Sequence, residues 1–345
     1  QINLVNKVAD TFPGNTIVVV NSCYVIGIDE IKNNPDVAGI VFTSYGGQFE
    51  GMGLANILYG RKAPSGRLSF SWLKDLSSYP QLDENTGVDP RYTVEMQNAD
   101  PAQTGMTYLY NNDSDLTYEF GYGLAYTEFR YDNFSYSLGE DHLEFTVDIT
   151  NTGNIASSEV IQVYARSIES AYRTYVPKMQ LAGFEKAACI KPGETRSVTV
   201  TVEKDSMSLW DVVANRFIFE AGRYEFMIGK SSKDILWRKT VAIEGDTIGT
   251  LDLAEKINVW SHAYGSCGTT AAEVSKHRTS EFAGNYYAVK SNAALSYVIL
   301  PNVKFDGLSK LTIGVGLAEG EGSIAIYAGE RTGEALCSFL IRPTG

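Results

Sequence analysis

A carboxylate beside a glycine turn is the first place in this chain where chemistry could sit. Glu50 follows Tyr45-Gly46-Gly47, which in turn follows an apolar run at Val37–Phe42. With that run as a strand of a parallel sheet, Glu50 stands at its carboxyl end, where ligands of open α/β sheets collect. A glutamate that opens a helix also partners the helix dipole, and that role is the favoured one. Asp113 and Asp115 lie in Asn111-Asn112-Asp113-Ser114-Asp115, where turn formation is favoured over calcium binding. Arg67 is expected to pair structurally with a buried carboxylate. Trp260, Tyr286 and Tyr287 are the best candidates for stacking on a sugar face, with core burial the competing role for each.

Other chemistries are excluded by what is missing. The cysteines stand far apart at Cys23, Cys189, Cys267 and Cys337, without a C-x-x-C pair. His142, His262 and His277 show no ligand spacing, so a zinc site is not expected. No cofactor is expected; calcium in the C-terminal segment is the one ion left open. The thiols read as small buried residues, and a Cys267–Cys337 bridge is left open. There is no Ser-His-Asp set, P-loop or dinucleotide fingerprint. The formal charge of −12 repels phosphate, so nucleic acid is not an expected partner. No apolar run approaches the 18 or so residues of a membrane span. Nothing fixes the compartment, bacterial cytoplasm and secretion both staying open.

The elements that must position these residues fall into three stretches. Residues 1–75 alternate helix and strand. Ile2, Val5 and Ala9 give a helical stripe, with Leu4 and Val8 alongside. Ile17-Val18-Val19-Val20 predicts a strand buried on both faces. A short helix at Gly27–Asn34, a strand at Val37–Phe42, a helix near Gly51–Tyr59 and a strand at Arg67–Trp72 complete about three strands of a parallel sheet. Residues 76–117 form a long polar loop. Residues 126–244 alternate as an antiparallel sandwich, seen in His142–Ile149, Val160–Tyr164 and Ser197–Val202. Residues 245–345 form a further β-rich segment, with strands at Tyr286–Val289, Ser296–Leu300, Leu311–Val315, Ile324–Tyr327 and Leu336–Ile341.

One stretch is specific enough to carry a resemblance. Tyr118-Glu119-Phe120-Gly121-Tyr122-Gly123-Leu124-Ala125-Tyr126-Thr127-Glu128-Phe129 resembles the F-G-Y-G-L-S-Y-T-x-F junction of family 3 glycoside hydrolases. Asn15–Ser22 and Tyr45–Trp72 resemble that family's V-V-V-N-S and Y-P-G-Q-E-G-G-x-A-L-A-D-V-L-F-G-x-x-N-P-S-G-R-L patterns. Gly46 stands where the pattern has Pro, Phe49 where it has Glu, and Glu50 is displaced by one. Asn151-Thr152-Gly153, Gln162-Val163-Tyr164, Leu181–Lys186, Lys191-Pro192-Gly193-Glu194 and Gly222-Arg223-Tyr224 resemble the family's fibronectin-III-like domain. The C-terminal strand pattern, entered by Gly-Asn-Tyr-Tyr-Ala-Val, loosely resembles a family 6-type carbohydrate-binding module, a jelly roll.

The resemblance implies a multidomain α/β plus all-β chain: a partial α/β sandwich domain over 1–125, a fibronectin-III-like sandwich over 126–244, and an incomplete module over 245–345. It implies retaining hydrolysis of β-glucosides or β-xylosides by two carboxyl groups about 5 Å apart. It places the nucleophile on an N-terminal barrel and the acid/base in a loop ahead of Gln1, so no catalytic residue is expected here and the chain alone is expected to be inactive. The implied partners are carbohydrate and that barrel. Tyr108 and Tyr110 fall where the family has Y-R-Y-Y, packing against the barrel, with Tyr110 also a candidate sugar contact. The alternative is a non-catalytic polysaccharide-binding or scaffold protein, which retardation on β-glucan or xylan gels would reveal.

Overall fold

The computed structural model describes residues 1–75, 107–170, 176–211, 213–254, 257–259, 264–265, 269–273, 287–291, 296–307, 309–315, 317, 319–329 and 333–343. The chain divides into two compact units, Gln1–Leu251 with Ile257–Val303, and Asp252–Lys256 with Lys304–Gly345.

The first unit opens with helix α1 (Ile2–Thr11), strand β1 (Thr16–Asn21), the single-turn helix α2 (Asp29–Lys32), strand β2 (Val37–Thr43) and helix α3 (Glu50–Leu58). β1 and β2 pair in parallel, Val18 opposite Ile40 and Val20 opposite Phe42. Their shared face closes over Val20, Ile28, Ile31 and Trp72, with Ile2, Val5, Val18, Val37 and Phe42 packed against them. Phe42 meets Phe70 and Trp72 edge-on at 5.5 and 5.3 Å between ring centres, a favourable arrangement of aromatic quadrupoles.

Two expectations need correcting here. The run at 17–20 is not buried on both faces: Ile17 is 50% and Val19 38% exposed. With two strands, the α2 side receives the apolar cluster and the other side stays bare. The expected third parallel strand is also different. Only Trp72–Leu73 (β3) is extended, and it pairs antiparallel with Leu116–Tyr118 (β4). Phe70 and Trp72 are drawn into the aromatic cluster rather than into the β1–β2 sheet.

Two antiparallel sheets then share one core. The first orders Phe129–Leu138 (β5), His142–Asn151 (β6) and Thr195–Glu203 (β9) as β5-β6-β9. The second joins Ser157–Ser167 (β7), Gln180–Ile190 (β8), Gly222–Gly229 (β12) and Ile235–Ile243 (β13), in the order β13-β12-β7-β8. Between β9 and β12 a small ribbon pairs Leu209–Asp211 (β10) with Arg216–Ile218 (β11). The period-2 patterns explain the core: Leu143, Phe145, Val147 and Ile149 of β6 point inward with Val198, Val200 and Val202 of β9. They meet Ile161, Val163 and Ala165 of β7 and Phe226 and Ile228 of β12. Register explains why the patterns agree, since Phe145 lies opposite Val200 and Ile228 opposite Val163.

The β-rich segment beyond is a set of short ribbons. Thr269–Glu273 pairs with Tyr287–Ser291, and Gly322–Ile326 with Cys337–Ile341, both antiparallel. Tyr264–Gly265 pairs with Val298–Ile299. The strand expected at 311–315 is not formed. The cysteines reverse another expectation: Cys23, Cys189 and Cys337 are free and exposed, while Cys267 lies outside the described residues.

Phe226 is fully buried between the sheets, so Phe226→Ala should lower stability by about 3–5 kcal/mol in urea unfolding. Ile17→Ser on the bare face should change it by no more than about 0.5 kcal/mol.

Candidate functional site

Glu50 is built into the end of the parallel pair. Asn21 and Thr43 end β1 and β2 at their carboxyl edge, and the turn 44–49 returns the chain into α3. Asn21 Nδ2 donates to Glu50 Oε1, the Gly46 amide donates to Oε2 at 3.1 Å, and Thr43 Oγ1 divides its one proton between Oε1 at 3.2 Å and the Ser44 carbonyl at 3.1 Å. Three donors from three segments thus converge on one carboxylate, which also opens α3, where negative charge meets the helix dipole. A carboxylate accepts at about four lone-pair sites. Most of that capacity is spent on the protein itself, which suits an anchor better than a nucleophile or a proton donor.

The other concentration of polar chemistry lies where the α/β stretch meets the two-sheet stretch. Arg67 reaches Glu159 of β7 with Nη2 at 2.9 and 2.8 Å from the two carboxylate oxygens. The pair is sealed off, the side chains being 9% and 3% exposed. Arg67 Nη1 donates to the Gly66 carbonyl at 3.0 Å, and Tyr131 Oη donates to Glu159 Oε1 at 2.9 Å. Burial, reinforced by the adjacent Glu159 charge, raises the Tyr131 phenol well above the usual tyrosine range. Arg67 was expected to find a buried carboxylate; its partner was missed. The available signal was an acid at an inward position of an otherwise apolar alternating strand.

The stretch 118–129 runs between the two. Leu68 exchanges two backbone bonds with it, Leu68 N donating to Tyr122 O at 2.9 Å and Gly121 N to Leu68 O at 2.8 Å. From the other side Gln162 Nε2 donates to the carbonyls of Gly121 and Lys230, at 3.1 and 2.6 Å. Tyr164 Oη donates to Gln162 Oε1 at 2.6 Å, and Ser231 Oγ donates to Glu119 at 2.7 Å. The two glycines are steric requirements. At Gly121, φ is +80° and a Cβ would fall 2.0 Å from Gln162 Oε1; at Gly123 it would fall 2.3 Å from the Gly66 carbonyl. Tyr164 is raised too, by burial first.

The remaining predicted residues are dispersed. Tyr108 stacks on Phe120 at 3.9 Å and its hydroxyl accepts the Leu181 amide at 2.9 Å, so it ties the 107–118 segment to β8. Tyr110 is half-buried in the adjoining turn, its amide donating to the Thr107 carbonyl. Asp113 accepts from Lys178 Nζ at 2.8 Å. No group of three or more His, Cys, Asp or Glu among the described residues is arranged to hold a metal. Tyr287 begins the strand Tyr287–Ser291, while Trp260 and Tyr286 lie outside the described residues.

Removing one member of the sealed pair strands the other. Arg67→Ala should lower stability by about 3–5 kcal/mol in urea unfolding, and Arg67→Met with Glu159→Leu should recover much of it. The raised phenols set an alkaline limit. Their stabilising share is complete below pH about 10 and is lost as pH climbs toward their folded-state values. Tyr131→Phe should therefore flatten the decline in stability above pH about 10, read from unfolding curves alongside phenolate absorbance.

Comparison with known proteins gives these contacts a context. Residues 1–126 match the glycosyl hydrolase family 3 C-terminal domain, and residues 159–232 match a fibronectin type III-like domain. A β-glucosidase of Kluyveromyces marxianus is 33% identical over 207 residues, 59% of this chain and 23% of that protein. Thermostable β-glucosidase B of Acetivibrio thermocellus is 30% identical over 250 residues, covering 70% and 31%. Among solved structures, a β-D-glucoside glucohydrolase of Trichoderma reesei matches with a TM-score of 0.61 at 29% identity, covering 70% of this chain and 35% of that one. The K. marxianus β-glucosidase in complex with glucose matches at 0.59 and 29%, covering 70% and 28%. The chain spans less than a third of the length of these curated relatives. Residues 1–126 are thus similar to the glycosyl hydrolase family 3 C-terminal domain and residues 159–232 to a fibronectin type III-like domain, and the relatives named here are β-glucosidases.

Proposed function

We propose that this chain serves a retaining β-glycoside hydrolase of the β-glucosidase or β-xylosidase type, as a portion that frames the catalytic domain without performing the chemistry. The observation that carries this is the junction at 118–129, stitched on one side to Leu68 and on the other to Gln162 and Ser231. It welds the family 3 stretch to the two-sheet stretch in the order the matches run. A weld of this kind transmits position, not protons.

Two features of the geometry support the division of labour. Retaining hydrolysis needs a free carboxylate and a carboxylic acid about 5–5.5 Å apart. Glu50, the carboxylate best placed at the sheet's carboxyl edge, is already committed to Asn21, Thr43 and Gly46. The second feature is bare apolar surface. Ile17 and Val19 on β1, Leu4 and Val8 on α1, and Phe12 just past the end of that helix are all between 38% and 66% exposed. Exposed apolar side chains in such number on an α/β layer call for covering. We assign that cover to a further part of the same enzyme, the barrel and the rest of its second domain. The substrate is then a β-linked glucoside or xyloside bound mainly outside residues 1–345.

A polypeptide limited to residues 1–345 should release no aryl aglycone from aryl-β-glucosides or aryl-β-xylosides above the blank. Turnover that disappears with Glu50→Gln would overturn this assignment and make Glu50 a catalyst.

A further inference from the structure

We propose that Glu50 and Gly46 form a coupled latch: the carboxylate clamps the turn 44–49 onto the ends of β1 and β2, and so fixes where Tyr45 and Phe49 are presented. Glu50 is here a positioning residue. Its Oε1 gathers Asn21 from β1 and Thr43 from β2, while Oε2 takes the amide of Gly46 in the turn. Each is a bond to a charged acceptor, stronger than a neutral one.

Gly46 is constrained on two counts. It must offer an N–H, which excludes proline. A Cβ there would also crowd the carboxylate's stem, sitting 3.1 Å from both Cβ and Cγ of Glu50, so that the glutamate would have to give by a few tenths of an ångström. Gly47 then turns the chain at φ +73°, with open space around it. The side chains flanking the latch face outward, Tyr45 71% and Phe49 64% exposed. Rings this exposed keep a fixed place only if their backbone is held, and Glu50 is what holds it.

Hydrogen–deuterium exchange on residues 1–345 tests the latch without requiring catalysis. Glu50→Gln and Asn21→Ala should each speed exchange of the Gly46 amide by about tenfold, leaving β6 and β7 amides unchanged. Gly46→Pro should speed exchange at 47–49, and adding Glu50→Gln to it should produce little further change. Should Gly46→Pro not fold, the Asn21→Ala/Glu50→Gln pair supplies the same cycle. Additive effects, an unchanged Gly46 amide, or equal acceleration throughout the chain would each overturn the proposal.

Discussion

The buried ion pair between Arg67 and Glu159 is the constraint on which the first compact unit depends. Both charges are almost wholly removed from water, which is expensive unless every oxygen and donor finds a partner. Glu159 answers this with two bonds from Arg67 and one from Tyr131, and Arg67 turns a further donor onto Gly66, while its buried Nε is left without a partner among the described residues. Such a pair cannot slide. It fixes β7 against the loop after α3, and the 118–129 stretch must then thread the narrow space that remains. Gly121 and Gly123 follow from that geometry, since any side chain at either would collide with Gln162 or Gly66.

The same logic separates the two polar centres. At the junction, low exposure makes each polar contact obligatory and raises the phenols of Tyr131 and Tyr164. At Glu50 the surroundings are more open, and the carboxylate organises a surface turn instead of a core. One carboxylate joins two large stretches of chain; the other joins two strand ends and a loop. Both act by holding backbone in place.

Much of this was legible beforehand. The alternation of Leu143, Phe145, Val147 and Ile149 predicted β6 and its inward face, and the glycine-flanked Tyr122 marked the junction. The stripe of Ile2, Val5 and Ala9 correctly foretold the packed side of α1. Failures occurred where a neighbour decides burial. A β-branched run such as 17–20 reads as fully buried, yet only one face is covered when a strand has a single partner and one helical layer. Arg67–Trp72 looked like a third parallel strand because apolar alternation does not encode which strand will be adjacent; β4 captured its end antiparallel.

Sequence alone determined the local periodicities, the turns and the resemblance of the junction, because these rest on spacings of two to four residues. The partners of Arg67 and Glu50 were decided only by the tertiary structure. Glu159 is 92 residues from Arg67, and Asn21 is 29 from Glu50. Those distances close only when strand register and sheet packing set which side chains share a water-free space, and no local pattern in the chain carries that information.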